Sequence, residues 1–140
     1  MYILDTNVLS ELRKTKSGRA APAVVRWSDS VAQSELFLSA VAIFEIEMGI
    51  LKVSARNDEH FRRLKSWFSD HILPTFSGKI LPIDENVALN FARIMFPKTR
   101  PYRDALIAAT AEYHGYTVVT RNVCDFADLP IKLINPWDFA

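Results

Sequence analysis

Three apolar residues, Tyr2-Ile3-Leu4, run directly into the polar triplet Asp5-Thr6-Asn7, and apolar spacing resumes at Val8, Leu9 and Leu12. A run this short and this apolar reads as a buried strand, and the spacing after it as a short helix. Asp5 then falls at the carboxyl end of the strand, where open parallel α/β sheets bind their ligands. A carboxylate in that place is a candidate metal ligand or catalytic base. Its ordinary alternative is a cap on the helix that follows. Partners elsewhere in the chain decide between the two.

The same unit recurs. Leu36-Phe37-Leu38 reads as a second strand, with Ser39 as the cap of a helix over Ala40–Leu51. Ile80 to Ile83 reads as a third, and Pro82 assigns it to a sheet edge or a strand end. Asp84 caps a helix carrying Val87, Leu89, Phe91, Ile94 and Met95. A helix of small residues follows over Arg103–Gly115, then a strand over Tyr116–Thr120 and a last one over Ile131–Ile134. Between these, Thr15 to Pro22 is a loop, and Ala23 to Ala32 has helical spacing with Trp27 as a core anchor. Lys52 to Asp70 reads as a surface amphipathic helix ending before Pro74. Strands alternating with helices across short turns predict an α/β sandwich with a short, mainly parallel sheet. With 140 residues, the expectation is a single domain over 1–140.

Charge adds a local signal. The net charge is only +1, so bulk charge does not announce a nucleic-acid binder. The cations cluster, however: Arg13, Lys14, Lys16 and Arg19 follow the first strand, and Lys98, Arg100 and Arg103 precede Asp104. Each group reads as a solvated face or, beside acidic positions, as a phosphate contact, with Arg100 and Arg103 the candidates nearest Asp104. No long apolar run indicates a membrane span, and no secretory leader is evident. The single cysteine, Cys124, fits a reduced, cytoplasmic setting.

The helix over Ala40–Leu51 is apolar nearly all round, a pattern that predicts burial, yet it carries Glu45 and Glu47. At about 100° per residue Glu45 falls between Val41 and Gly49, with Ala42 close by, while Glu47 is turned toward the rim. An unpaired buried carboxylate costs several kcal/mol. Glu45 therefore requires a cation, a hydrogen-bond network or an open cleft. Asp104 stands at the start of a helix, and Asn122 and Asp125 follow the strand ending at Thr120. In a parallel sheet these positions converge on Asp5. Carboxylates gathered without His or Cys partners suit Mg²⁺ or Mn²⁺ and metal-assisted phosphodiester hydrolysis.

In its motifs the chain resembles the PIN-domain toxin ribonucleases of the VapC type, in their FitB-like branch. The resemblance is carried by Tyr2-Ile3-Leu4-Asp5-Thr6-Asn7-Val8-Leu9-Ser10-Glu11-Leu12-Arg13, by Leu38-Ser39 followed by Glu45 and Gly49-Ile50, and by Ile80-Leu81-Pro82-Ile83-Asp84. It continues in Asp104-Ala105-Leu106-Ile107-Ala108-Ala109-Thr110-Ala111, His114-Gly115, Thr117-Val118-Val119-Thr120-Arg121-Asn122, Asp125-Phe126 and Asn135-Pro136-Trp137. These match in order over nearly the whole chain. The resemblance implies a PIN-like α/β/α sandwich and a magnesium-dependent endoribonuclease, with manganese also supporting activity. Asp5, Glu45 and Asp104 would form its acidic core. Asp5 and Asp104 would hold the metal, and Glu45 would hold or activate a water. Thr6, Asn7 and Thr120 would support them. Asn122 would line the site, with Asp125 the alternative. The implied partners are RNA, a small DNA-binding antitoxin in a higher-order complex, and a second copy of the chain.

Two other classes compete. A PIN-like module that binds RNA or a partner without cutting is opposed by the intact Asp5, Glu45 and Asp104. An aspartyl-phosphate phosphatase with Asp5 as nucleophile would want a second aspartate two positions on, where this chain has Asn7.

Overall fold

The short apolar runs do assemble into one sheet. The computed structural model describes residues 1–140 and has five strands: β1 Tyr2–Leu4, β2 Leu36–Ser39, β3 Ile80–Leu81, β4 Thr117–Val119 and β5 Leu133–Ile134. Their order is β3-β2-β1-β4-β5, and every pairing is parallel. The helices are α1 Thr6–Leu12, α2 Pro22–Ser30, α3 Ala40–Ser54, α4 Asp58–Trp67, α5 Leu73–Thr75, α6 Glu85–Met95 and α7 Tyr102–His114.

The strands are apolar on both faces because both faces are covered. Side chains alternate along a strand, so neighbours enter different cores. Leu4 and Val119 pack with Val8, Trp27, Ile46 and Phe68 from the α1–α4 side. Ile3 and Val118 pack with Val87 and Ile94 of α6, Ala105, Ile107 and Ala108 of α7, and Phe126. The result is the three-layer sandwich that the alternation predicts. Trp27 is a core residue, with Tyr2 edge-on at 5.5 Å. On α7 the alanines Ala105, Ala108, Ala109 and Ala111 are buried, so its backbone comes close to the sheet. Gly115 closes that helix with φ 72°, a left-handed position that glycine adopts without strain.

Four expectations change. β3 stops at Leu81 rather than Ile83: Pro82 has no N–H to give a ladder, and β3 is indeed an edge strand. The helix expected over Lys52–Asp70 is two helices. α3 runs on to Ser54, and Asn57 starts α4 by accepting a hydrogen bond from the His60 N–H at 3.1 Å. Nor does the helical path end before Pro74. A π-helical turn over Phe68–Ile72 leads into α5, and this wider turn carries the helical path through Pro74, which has no N–H to give. Finally, α3 is not buried all round. Val41, Ala42, Ile46 and Ile50 are buried, but Phe44, Met48 and Leu51 are 55%, 40% and 54% exposed. They form a stripe at helical spacing that no other part of the chain covers.

Candidate active site

The sheet reverses its direction of growth next to β1. From β1 the chain builds outward through β2 and β3, then returns to the other side of β1 with β4 and β5. The carboxyl ends of β1 and β4 therefore flank the switch point, the place where loops diverge and leave a crevice. Asp5 ends β1, and its N–H donates to the Val119 carbonyl at 2.9 Å. Thr120 ends β4, and its hydroxyl donates to Asp5 Oδ2 at 2.8 Å. The Thr6 N–H donates to Asp5 Oδ1 at 2.7 Å, and the Asn7 amide to Oδ2 at 3.4 Å. Asp5 is thus both the cap of α1 and a fixed wall of the crevice; the two readings of this residue are compatible.

A cleft of about 330 Å³ opens here, lined by Asp5, Thr6, Asn7, Glu45, Pro101, Arg103, Asp104, Asn122 and Asp125. Glu45 reaches it from α3. One of its oxygens accepts from the Thr6 hydroxyl at 3.2 Å, and the other from Arg103 Nη1 at 3.0 Å. Thr6 therefore ties the first strand's carboxylate, through its own N–H, to the third helix's. Asp104 enters from the first turn of α7, where the helix dipole favours a negative charge. It caps nothing: its surroundings act on it through burial and charge, and no hydrogen bond supports its carboxylate.

Electrostatically the three acids are under strain. Burial raises all three carboxyl groups above their ordinary values. The charge of Asp5 raises Glu45 and Asp104 further, and the charge of Asp125 raises Asp5 and Asp104. Arg103 opposes this at each acid but does not reverse it. It is the cleft's sole lining cation, against four carboxylates, and is already paired with Glu45. The donors are all oxygen and the balance of charge asks for a cation. No three side chains converge as a ready-made metal cage. The set fits a hydrated magnesium-type ion, which keeps most of its waters and takes one or two carboxylates.

The far wall holds both rivals for its position. Buried Phe126 anchors a 3₁₀ turn over Val123–Phe126 that carries Asp125 into the cleft. The Asn122 N–H donates to the Thr120 hydroxyl at 3.0 Å, and Asn122 lines the same cleft.

Arg100 is not brought to this site. Its guanidinium donates to both oxygens of Asp128, at 3.0 and 2.7 Å, and its side chain is 9% exposed. Lys98 faces the same carboxylate at 3.9 Å. The basic group before Asp104 therefore divides: Arg103 joins the cleft, while Arg100 and Lys98 hold the Asp128 loop in a separate depression. Sequence pattern gives His60 no ligand spacing and places Trp67 on an apolar stripe, yet both line an adjoining depression that shares Thr6 and Glu45 with the cleft. Trp67 lies on the same apolar stripe as Phe61 and Leu64, and spacing cannot separate a groove wall from a core residue.

Comparisons with known proteins agree with this architecture. A model of the PIN domain matches residues 2–131. Toxin FitB of Neisseria gonorrhoeae is 39% identical over 146 residues, covering 98% of this chain and 99% of that protein. VapC ribonuclease Y4jK of Sinorhizobium fredii is 35% identical over the full length of both. A solved structure of FitAB bound to an IR36 DNA fragment superimposes with a TM-score of 0.88 at 34% identity, covering 100% of this chain and 98% of the other.

Proposed function

The chain belongs to the PIN-domain family, among its FitB-like, VapC-type members, and from that premise we propose that it is the ribonuclease toxin of a toxin–antitoxin pair. It hydrolyses RNA phosphodiester bonds at the acidic cleft. The observation that carries this reading is the cluster of Asp5, Glu45 and Asp104 in one cleft, each carboxyl raised by burial and by its neighbours' charge. A cluster of that kind is costly unless a cation neutralises it.

In this reading Asp5 and Asp104 hold Mg²⁺, or Mn²⁺ in its place. The bound ion supplies positive charge for the attacking water and the departing oxygen. The protein's own groups do the rest. Thr6, Asn7 and Thr120 fix both oxygens of Asp5. Glu45 is oriented by Thr6 and, with its raised proton affinity, accepts the proton of the attacking water. Arg103, 60% exposed, is free to leave Glu45 for a substrate phosphate. Asn122 and Asp125 line the opposite wall.

Partners follow from the surface. Phe44, Met48 and Leu51 on α3, with Leu89 on α6 and Phe96 at its C-cap, are large apolar side chains left open to solvent. Such surfaces support a second copy of the chain and a DNA-binding antitoxin in a higher-order complex. No helix is long and apolar enough to cross a membrane, and the proposed place of action is the cytoplasm.

Purified protein should cut single-stranded RNA in Mg²⁺ or Mn²⁺ and stop in EDTA. Cleavage that persists in EDTA would sink the metal-dependent mechanism. A second reading, a PIN-like module that binds without cutting, draws on the Arg103–Glu45 pair, which satisfies Glu45 without any metal. The same assay decides it: RNA binding with no cleavage in either metal would favour the module.

A further inference from the structure

Two segments carry opposite lips of the acidic cleft. The loop between α6 and α7 leads through Pro101 into Arg103 and Asp104, and the turn after β4 holds Asn122 and Asp125. No backbone hydrogen bond joins residues 96–103 to residues 121–132. The hydrogen bonds that do join them run from Arg100 to Asp128, at 3.0 and 2.7 Å, with Lys98 3.9 Å from the same carboxylate. We infer that Arg100 and Asp128 are positioning residues, whose clasp sets the width of the cleft by holding Asn122 and Asp125 opposite Asp104. This role presupposes the ribonuclease reading and assigns to that reaction two residues that do not touch the reacting atoms.

Both segments are short of other anchors. Of residues 122–128, Phe126 alone is buried. In the facing segment Pro97, Lys98, Thr99 and Pro101 are exposed. Arg100 is the exception: its side chain is 9% exposed, and its Nε is buried without a hydrogen-bond partner. A guanidinium that has given up water at one nitrogen depends on what pairs with the other two. Its planar fork meets both oxygens of Asp128, a geometry that fixes orientation as well as distance. The Asp128 carboxyl, lowered to about 2 chiefly by those hydrogen bonds, stays charged across the neutral range, so the clasp stays closed there.

The cleft gives the clasp something to oppose. Asp125 faces Asp5 and Asp104 as a like charge, and no hydrogen bond ties it to either. Like charges across a cleft repel, and an untethered turn relieves the repulsion by carrying Asp125 outward. Asp104 has no hydrogen bond to its carboxylate, so its relation to the far wall is set by where its backbone lies. Backbone placement is what the clasp fixes. Asp128 follows Asp125 within a few residues, and Arg100 precedes Asp104 by as little, so the two chains are joined close to the carboxylates they carry.

The test titrates the full chain with Mn²⁺ by calorimetry, without RNA. Asp128→Ala should bind Mn²⁺ roughly tenfold more weakly, the low end of the loss for a residue that supports metal ligands from outside. Asp128→Glu should recover most of that loss. Asp128→Ala leaves Arg100 buried and unpaired, so a second variant, Arg100→Met with Asp128→Ala, removes both charges. Its melting temperature should return toward that of wild type while its Mn²⁺ affinity does not. Amide exchange in EDTA reads the same clasp without metal. The Asp125 and Leu129 N–H groups, which donate to the Asn122 and Phe126 carbonyls at 3.0 Å, should exchange roughly tenfold faster in both variants. A folded double variant that binds Mn²⁺ like wild type, or whose two amides exchange at the wild-type rate, overturns the assignment. Asp84→Ala removes a helix cap away from the cleft and should bind Mn²⁺ like wild type; an equal loss there would assign the effect to global stability. Failure of the underlying reading looks different: wild type itself would neither bind Mn²⁺ nor cut RNA.

Discussion

At the scale of single residues, the site couples function to a cost in stability. Asp5, Glu45 and Asp104 all have carboxyl groups raised by the fold. The unfolded chain, with ordinary carboxyl groups, gives up those protons at lower pH. The contribution of these three acids to stability is therefore greatest below the ordinary carboxylate range and falls as pH rises from there through the raised folded values, opposite to that of Glu11 and Asp128, whose carboxyl groups are lowered. Asp104 has no hydrogen-bonding partner to lose. Asp104→Asn should thus reduce RNA cleavage by roughly 10²-fold or more, the scale of losing a charge that stabilises a transition state, while leaving the melting temperature at neutral pH unchanged or higher. A variant that cuts at near wild-type rate would remove Asp104 from the site. Thr120 is the opposite case. Its buried hydroxyl serves Asp5, so Thr120→Val should destabilise the protein by about 1.5–3 kcal/mol in denaturant titration, the range for a hydrogen bond to a charged group.

At the scale of elements, most of the architecture was legible because each strand is a short apolar run bounded by polar residues. The caps were legible too. Ser39 accepts from the Val41 N–H at 3.2 Å, and Asp84 from the Val87 N–H at 3.1 Å. Asp84→Ala should lower stability by about 1 kcal/mol without moving the metal dependence of cleavage, as thermal melts and an RNA assay would show. What pattern could not resolve has physical causes. The exposed stripe of Phe44, Met48 and Leu51 has the same residue types as a core face, because apolar surface destined for a partner is chemically the same as apolar surface destined for the interior. The π-helical turn at Phe68–Ile72 carries the helical path past a proline that ordinarily marks an end. Arg100 looked like a phosphate ligand because its partner, Asp128, is 28 residues away in sequence. In the site, Asp5, Glu45 and Asp104 were readable as chemistry, but the way Thr6 joins Asp5 through its N–H to Glu45 through its hydroxyl is a product of folding.

At the scale of the whole molecule, the acid cluster should make stability respond to metal. Mg²⁺ binding to the folded chain alone would raise its melting temperature in proportion to the logarithm of the concentration above Kd. The rise should be larger at pH 7 than at pH 5, where more of the raised carboxyl groups carry protons, and should be lost in Asp5→Asn. An equal rise in Asp5→Asn would locate the ion elsewhere. A last consequence lies in the sheet order. β1, made first, is the middle strand, and one of its neighbours is β4, whose Thr117 N–H bonds to the Met1 carbonyl at 3.1 Å. On the ribosome, the opening strand must wait with one edge bare until residues 117–125 have emerged. A nascent or prematurely terminated chain therefore lacks Thr120, Asn122 and Asp125 and has no closed cleft. The cleft is therefore completed only by Thr120, Asn122 and Asp125, long after its first wall at Asp5 has been made.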